Sequence, residues 1–234
     1  MSQIEITKKI KSFKKSIDVS GDKSLSIRWV LFASLADGVS KAQNLLMSED
    51  VFAAIKVLKK LGIKVNTKNN IFKIYGKGIN GFKYKKNIIL DAENSGTLGR
   101  LILGLLINTP YPIKLIGDKS LSKRDFKRIS DPLTKFGTTF KLHKNKSLPL
   151  TISGSKKLKP IYFEEKKGSA QCKSAVIFGG MRANGLTLIK AKKSRNHTEL
   201  LCKYLKLPLK VKKKKNYDLI EVKKVKKIKP LNYK

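Results

Sequence analysis

Three short segments of the sequence combine small polar residues with a following cation, which suits them to binding anions. They are Lys23-Ser24 followed by Arg28, residues 94–97 followed by Arg100, and residues 169–171 followed by Lys173. Each segment leads directly into an apolar run that predicts a helix, so its small residues lie at a helix N-terminus. Unpaired backbone N–H groups and the positive end of the helix dipole favour anions there. These segments therefore predict a site for small, negatively charged molecules.

Most of these residues also have an ordinary structural explanation. Ser, Asn, Asp and Gly are common helix caps, and a cation such as Arg100 could be solvated or paired. His197 could equally be a structural residue near a helix start or a catalytic one. Cations at a helix N-terminus are harder to explain, because the dipole disfavours them. We therefore expect an anion near Lys23. We expect the same near Arg124, which lies in the predicted first turn of a helix from Ser122.

The pattern recurs at a nearly constant interval. The first series, marked by Lys23, Gly96 and Gly168, has spacings of 73 and 72 residues. A second series of predicted helix starts, at Ser48, Ser122 and Ser194, has spacings of 74 and 72 residues. Alternating or β-branched runs predict strands at residues 111–117, 148–154, 186–191 and 217–222. The sequence thus predicts three units of two helices and about four strands, whose first helices converge.

Composition narrows the possible classes of protein. The chain has 234 residues, of which 41% are hydrophobic, so a packed core is expected. Its two cysteines, Cys172 and Cys202, exclude a disulfide scaffold and a cysteine-rich zinc site. The net charge of +37 leaves a nucleic-acid-binding domain open as an alternative. However, the basic residues are mostly lysines spread along the chain, which favours a solvated surface.

Targeting signals are not evident in the sequence. The first ten residues contain no apolar core of a signal peptide. The longest apolar run, near residues 101–107, is far shorter than the roughly 20 residues of a membrane span. We therefore expect a soluble, cytoplasmic protein.

Five motifs together resemble the 5-enolpyruvylshikimate-3-phosphate (EPSP) synthase family. They are SGDKSLSIR (20–28), NSGTLGR (94–100), GDKSLSKR (117–124), GSAQCKSA (168–175) and SRNHTE (194–199). The resemblance implies an α/β (α+β) fold in which three pseudo-symmetric βαβαββ units form one inside-out, barrel-like domain. It also implies transfer of the enolpyruvyl group from phosphoenolpyruvate to the 5-hydroxyl of shikimate 3-phosphate, with release of phosphate and without a metal or cofactor.

The resemblance also assigns roles to individual residues. The expected shikimate-3-phosphate contacts are Lys23, Ser24, Arg28, Ser169, Gln171 and Ser194. The expected phosphoenolpyruvate contacts are Lys23, Gly96, Thr97, Arg124 and Gln171. Of these, Lys23, Arg124 and Gln171 are the expected catalytic residues. Two positions depart from the family pattern: Ala170 replaces a hydroxyl, and Asp125 follows Arg124, where it could offset the cation or point away.

The resemblance further implies a domain organisation. Residues 1–16 would belong to a second domain that this sequence lacks, and residues 17–230 would form the N-terminal domain. Its units would span about 17–85, 86–157 and 158–230. The absent domain would supply the general base, so we expect half of a site, a monomeric chain and a complementary C-terminal half as partner. A non-catalytic remnant of the fold and the related UDP-N-acetylglucosamine enolpyruvyl transferase stay open as alternatives.

Overall fold

The computed structural model describes residues 5, 7–9, 11–12, 14, 16–17 and 19–233. The predicted N-terminal segment 1–16 lies partly outside these residues, and its assignment to another domain stays a prediction. No helix among the described residues is long and apolar enough to cross a membrane.

The described chain is built from three successive units. The first contains α1 (Lys23–Leu35), β1 (Asp37–Ala42), α2 (Glu49–Lys60), β2 (Lys64–Lys68) and β3 (Ile71–Lys77). The second contains β4 (Ile89–Asp91), α3 (Gly96–Leu105), β5 (Ile113–Ile116), α4 (Lys119–Ser122), α5 (Lys127–Thr134), β6 (Thr139–His143) and β7 (Ser147–Ser153). The third contains β8 (Tyr162–Glu165), α6 (Ala170–Gly180), β9 (Leu186–Lys192), α7 (His197–Tyr204), β10 (Leu209–Lys213) and β11 (Tyr217–Lys223), and the short strand β12 (Asn232–Tyr233) follows it.

The strands form three four-stranded sheets of the same design. Their orders are β4-β5-β7-β6, β8-β9-β11-β10 and β12-β1-β3-β2. In each sheet the first strand runs parallel to its neighbour and the other pairings are antiparallel. These sheets are separate, and no closed barrel joins the described strands. The threefold repeat and the four predicted strands, now β5, β7, β9 and β11, are confirmed.

The first unit obtains one strand from a distant part of the sequence. Its sheet is completed by β12, which pairs with β1 through Lys41 opposite Asn232 and Ala42 opposite Tyr233. This strand lies beyond residue 230, the predicted end of the third unit. The first and last parts of the described chain therefore meet in one sheet.

The helices α1, α3 and α6 form the centre of the molecule. Most residues of each are buried, and beyond their first turns the sequences are largely apolar, as expected for helices with little solvent-facing surface. Phe32 of α1 contacts Phe178 of α6, with ring centroids 5.0 Å apart. The α3–α6 crossing requires Gly104, because a Cβ there would collide with the Ala175 carbonyl oxygen. Strands of the first sheet pack against α1, and strands of the third sheet pack against α6.

Two of the predicted starts in the second helix series are wrong. Ser122 ends the short helix α4, and α5 begins only at Lys127. Ser194 precedes α7 by three residues, and Asn196 occupies the N-cap position. Ser48 does precede α2, although its hydroxyl makes no capping hydrogen bond. A serine followed by charged residues is therefore an insufficient signal for a helix start in this chain.

Candidate active site

The three inner helices begin at one cavity. Their N-caps are Asp22, Ser95 and Ser169, whose side-chain oxygens accept hydrogen bonds from the backbone N–H two or three residues into the helix, at 2.7, 3.3 and 3.2 Å. The residues that follow the caps line a cavity of about 320 Å³. The full lining is Lys23, Ser24, Arg28, Asp50, Asn94, Gly96, Thr97, Arg124, Ala170, Gln171, Arg195 and His197.

Seven of the nine predicted site residues lie together in this lining. They are Lys23, Ser24, Arg28, Gly96, Thr97, Arg124 and Gln171. The other two, Ser169 and Ser194, lie outside it. Ser169 Oγ accepts hydrogen bonds from Arg128 Nη2 at 2.6 Å and from the Cys172 N–H at 3.2 Å. Ser194 Oγ is buried and has no hydrogen-bond partner among the described residues.

Lys23 has a partner within the protein. Its Nζ lies 3.3 Å from Asp50 Oδ2, and about half of the lysine side chain is exposed. Asp50 lies in the first turn of α2, so a neighbouring helix supplies the carboxylate. The unfavourable position of a cation at the start of α1 is therefore partly relieved without a ligand, because Asp50 balances part of the charge.

Arg124 reaches the site from a different place than predicted. It lies in the loop between α4 and α5, not in the first turn of a helix. Its guanidinium nevertheless lies over the start of α3, because a Cβ at Gly96 would be 2.9 Å from Arg124 Nη1 and 3.0 Å from Arg100 Nη1. Glycine at position 96 thus leaves room for two guanidinium groups at one helix N-terminus. The dipole opposes both charges, so this point favours an anion.

Asp125 does not neutralise Arg124 through its own side-chain hydrogen bonds. Its Oδ1 accepts from the backbone N–H of Lys127 at 2.8 Å and of Arg128 at 3.4 Å. The carboxylate thus caps the start of α5. The sequence left open whether Asp125 offsets the charge of Arg124 or points away from it. These hydrogen bonds fit a side chain that points away from Arg124 and towards α5.

Gln171 is held in a fixed orientation at the start of α6. Its Oε1 accepts from Arg100 Nη1 at 2.6 Å, and its Nε2 donates to Thr97 Oγ1 at 3.0 Å. Burial lowers the pKa of Arg100, and the charges of Arg128 and Arg124 lower it further. Arg100 therefore acts on the site through Gln171 rather than as part of the cavity lining.

Arg28 forms the buried floor of the cavity. Its Nε donates to Thr198 Oγ1 at 2.8 Å, its Nη1 to the Ser24 carbonyl at 2.9 Å and its Nη2 to Ser174 Oγ at 3.2 Å. Burial lowers the pKa of Arg28 to about 10, and the nearby Glu199 carboxylate opposes this shift. The guanidinium stays protonated at neutral pH and keeps its charge close to the cavity.

Lys173 does not follow the pattern of the other two helices. It is fully buried, and its Nζ lies 2.6 Å from Glu199 Oε1 on α7. The cation after the third helix start is therefore part of a buried ion pair behind the site, not a cavity residue. Spacing alone did not reveal this, because the carboxylate comes from another helix.

Five lining residues were not among the nine predicted contacts. They are Asp50, Asn94, Ala170, Arg195 and His197. Arg195 and His197 lie in the SRNHTE motif, so their types and positions were a usable signal. Burial lowers the pKa of His197, the Arg28 charge adds to this effect, and the buried His197 Nδ1 has no hydrogen-bond partner among the residues that the structure describes. Four cations, Lys23, Arg28, Arg124 and Arg195, thus face one cavity with a single carboxylate.

Across the described part of the chain, no group of three or more His, Cys, Asp or Glu side chains could hold a metal ion. The cavity lining combines fixed cations with residues at helix N-termini, and both kinds of group suit phosphate and carboxylate.

The fold and the cavity define an α/β domain of three repeated units that directs its inner helix N-termini towards one cavity lined by cations. A family model described as EPSP synthase (3-phosphoshikimate 1-carboxyvinyltransferase) matches residues 7–234. The chain therefore belongs to the EPSP synthase family.

Individual relatives agree with this family. The chain is 42% identical over 190 residues to a 3-phosphoshikimate 1-carboxyvinyltransferase of Streptococcus agalactiae, covering 80% of this chain and 44% of that protein. It is 39% identical over 198 residues to the protein of that name from Streptococcus thermophilus, covering 84% and 46%. It also superimposes on an EPSP synthase structure from Acinetobacter baumannii with a TM-score of 0.84 and 31% identity, covering 92% and 48%. The chain thus spans less than half the length of the relatives that it matches.

Proposed function

We propose that this chain binds shikimate 3-phosphate and phosphoenolpyruvate in the cavity at the inner helix N-termini. There it takes part in transferring the enolpyruvyl group to the 5-hydroxyl of shikimate 3-phosphate, and phosphate is released. The observation that carries the proposal is the convergence of seven predicted site residues on one cavity with four cations. Both substrates are anionic, and the names of the relatives favour this reaction over that of the related UDP-N-acetylglucosamine transferase.

The proposed roles divide the cavity between the two substrates. Shikimate 3-phosphate contacts Lys23, Ser24, Arg28 and Gln171, with Ser169 and Ser194 near its phosphate. Ser169 Oγ already accepts two hydrogen bonds, so its own O–H is the group left to donate to a phosphate oxygen. Phosphoenolpyruvate contacts Lys23, Gly96, Thr97, Arg124 and Gln171, beside the two guanidinium groups at the start of α3.

The proposed chemistry uses this charge to stabilise the transition state. A bond forms between the 5-hydroxyl oxygen and the second carbon of phosphoenolpyruvate, the hydroxyl proton passes to a general base, and the third carbon takes up a proton. The second carbon then carries both phosphate and carboxylate, and loss of phosphate together with a methyl proton forms the enol ether of the product. Lys23, Arg124 and Gln171 hold the charged groups in place before the reaction, so little reorganisation is needed.

Proton transfer calls for a further group. Asp50 in the lining is paired with Lys23, and burial and the Arg28 charge lower the pKa of the His197 imidazole. We propose that a complementary segment supplies the general base, which fits the 44% share of the relative's length. The proposal includes a monomeric chain that works in the cytoplasm without a cofactor.

Calorimetry with shikimate 3-phosphate tests the binding proposal directly. The chain should bind this ligand, and Lys23→Met should abolish binding without changing the circular dichroism spectrum, because Lys23 lies at the cavity and half of it is exposed. The matched control is Lys141→Met, which removes the same charge from an exposed position on β6. Normal affinity in Lys23→Met would contradict the proposed site.

Complementation tests the catalytic proposal separately. Enolpyruvyl transfer is measured for the chain alone and with a second chain that covers the remaining length of the Streptococcus agalactiae relative. We expect activity only with both chains, and its loss in Lys23→Met. Binding without activity in the complemented sample would indicate a remnant that has kept only the binding function.

A further inference from the structure

A second cavity lies at the opposite ends of α3 and α6. It has a volume of about 300 Å³, close to that of the first. Asn108 reaches it shortly after α3 ends, and Arg182 shortly after α6 ends. These helices have 10 and 11 residues, so they separate the two cavities by about 15 Å at 1.5 Å per residue. None of the residues assigned to the proposed function lines it.

Arg182 is a buried cation without a carboxylate partner. Its residue is 6% exposed, and it takes part in none of the ion pairs among the described residues. Its Nη1 donates to Asn108 Oδ1 at 2.7 Å and to Asn80 Oδ1 at 3.3 Å, which are neutral acceptors. Its Nη2 is buried and has no hydrogen-bond partner in the described structure. The guanidinium also lies over the Phe82 ring, 6.0 Å from the ring centroid, but this contact leaves Nη2 without a hydrogen-bond acceptor.

The remaining charged groups of the lining have the same sign as Arg182. Lys156, Lys224 and Lys226 line the cavity, and its lining contains no Asp or Glu. Lys224 Nζ donates to Asn184 Oδ1 at 2.7 Å, so a neutral group again serves as the acceptor. Burial lowers the pKa of Arg182 to about 9, which still leaves it protonated at neutral pH. Four positive charges therefore surround one small cavity.

The repeat explains how these groups come together. Asn80, Lys156 and Lys226 each lie three residues after the last strand of their unit, β3, β7 and β11 respectively. The second cavity thus gathers equivalent positions from all three units, as the first cavity gathers the three helix starts. The negative end of α6 accounts for a cation at Arg182. It does not account for the unpaired Nη2 or for three further lysines.

We propose that this second cavity binds a small polyanion that carries a phosphate group, with Arg182 Nη2 and the three lysines as its donors. The guanidinium presents a directed N–H donor to a phosphate oxygen, and the lysines add point charges. A cavity of about 300 Å³ has room for a small molecule. This site is separate from the proposed enolpyruvyl transfer site.

Calorimetry with inorganic pyrophosphate tests the proposal. The protein carries Lys23→Met and Arg124→Met, so that the first cavity is weakened. Pyrophosphate should bind with one-to-one stoichiometry, and adding Lys224→Met with Lys226→Met should weaken binding at least tenfold. The matched control adds Lys213→Met with Lys215→Met, which removes the same charge from exposed positions of the same unit and should leave affinity unchanged.

Three results would overturn the proposal. They are absence of binding, an equal loss in both lysine pairs, and citrate binding as tightly as pyrophosphate at the same ionic strength.

A second measurement separates ligand binding from a purely structural role of Arg182. Pyrophosphate should raise the Tm of the Lys23→Met, Arg124→Met protein and not that of the same protein with Arg182→Gln; no rise in either would also contradict the site.

Discussion

The two cavities differ in how their positive charge is supported. Both are small and cationic, and they lie at opposite ends of the same inner helices. The first lies at helix starts, where the dipole opposes a cation, and it contains the carboxylate of Asp50. The second lies beyond helix ends, where the dipole supports a cation, and its lining has no carboxylate. The direction of the helices therefore favours the cation at Arg182 and disfavours the cations at the start of α3.

This difference separates roles in folding from roles in binding. Arg124 lies over the start of α3, where removing its charge relieves an unfavourable interaction. Arg182 lies beyond the end of α6 and connects Asn80 with Asn108, so removing it takes away favourable contacts. Behind the first cavity, Lys173 is buried with Glu199, a carboxylate that Arg182 does not have. The predictions that follow test these contrasts.

The largest effect is expected from Glu199→Gln. This change leaves the fully buried Lys173 without its counter-charge and also removes the carboxylate near Arg28. We expect the free energy of unfolding to fall by about 3–5 kcal/mol, measured by urea denaturation. The double variant with Lys173→Met should recover part of this loss. A loss below about 1 kcal/mol would mean that the pair behaves like a surface salt bridge.

A smaller effect should distinguish Arg182 from Arg124 in the absence of ligand. Arg182→Met should lower the free energy of unfolding by about 2 kcal/mol, because it loses a helix-end charge and two hydrogen bonds. Arg124→Met should change it by less than about 0.5 kcal/mol. Urea denaturation in phosphate-free buffer gives both values. A larger loss for Arg124→Met than for Arg182→Met would contradict the proposed difference between the two ends of the helices.

The smallest effect concerns the ionisation of His197. Burial and the Arg28 charge hold its pKa below the ordinary value of about 6.5. The folded state thus binds this proton less readily than the unfolded state, so the contribution of His197 to stability is full above about pH 6.5 and declines as the pH falls. An anion in the first cavity should raise this pKa.

An NMR titration with and without shikimate 3-phosphate measures the shift of His197. The His197→Gln variant assigns the signal, and its stability should decline less between pH 6.5 and 5.5 than that of the unaltered chain. A titration midpoint that does not move on adding ligand would place the anion away from His197.

Local sequence signals predicted the parts of the molecule that depend on neighbours in the chain. The helix starts after Asp22 and Ser95 and the strands β5, β7, β9 and β11 follow from caps and alternating residues. The start at Ser122 was wrong because Asp125 provides the backbone hydrogen bonds at α5, while Ser122 Oγ donates to the Gly117 carbonyl. A serine can make either contact, so its type alone does not decide.

The sequence predicted most residues of the site but not the side chains with which they pair. Seven predicted residues meet in one cavity because the repeat fixes where helices start. Lys23 pairs with Asp50, and Lys173 pairs with Glu199, because separate helices pack together. The spacing of residues along the sequence does not show how those helices pack. The second cavity could not be predicted for the same reason, since the unpaired Arg182 Nη2 can be recognised only when its burial is known.

The pairing of β12 with β1 has a consequence for the order in which the chain matures on the ribosome. The first unit is synthesised first, yet its sheet acquires its outer strand only when residues 232–233 have emerged. The second unit draws all four strands of its sheet from residues 89–153. During translation, the second unit is therefore the earliest to have a full set of strands, and the unit that carries Lys23 is the last.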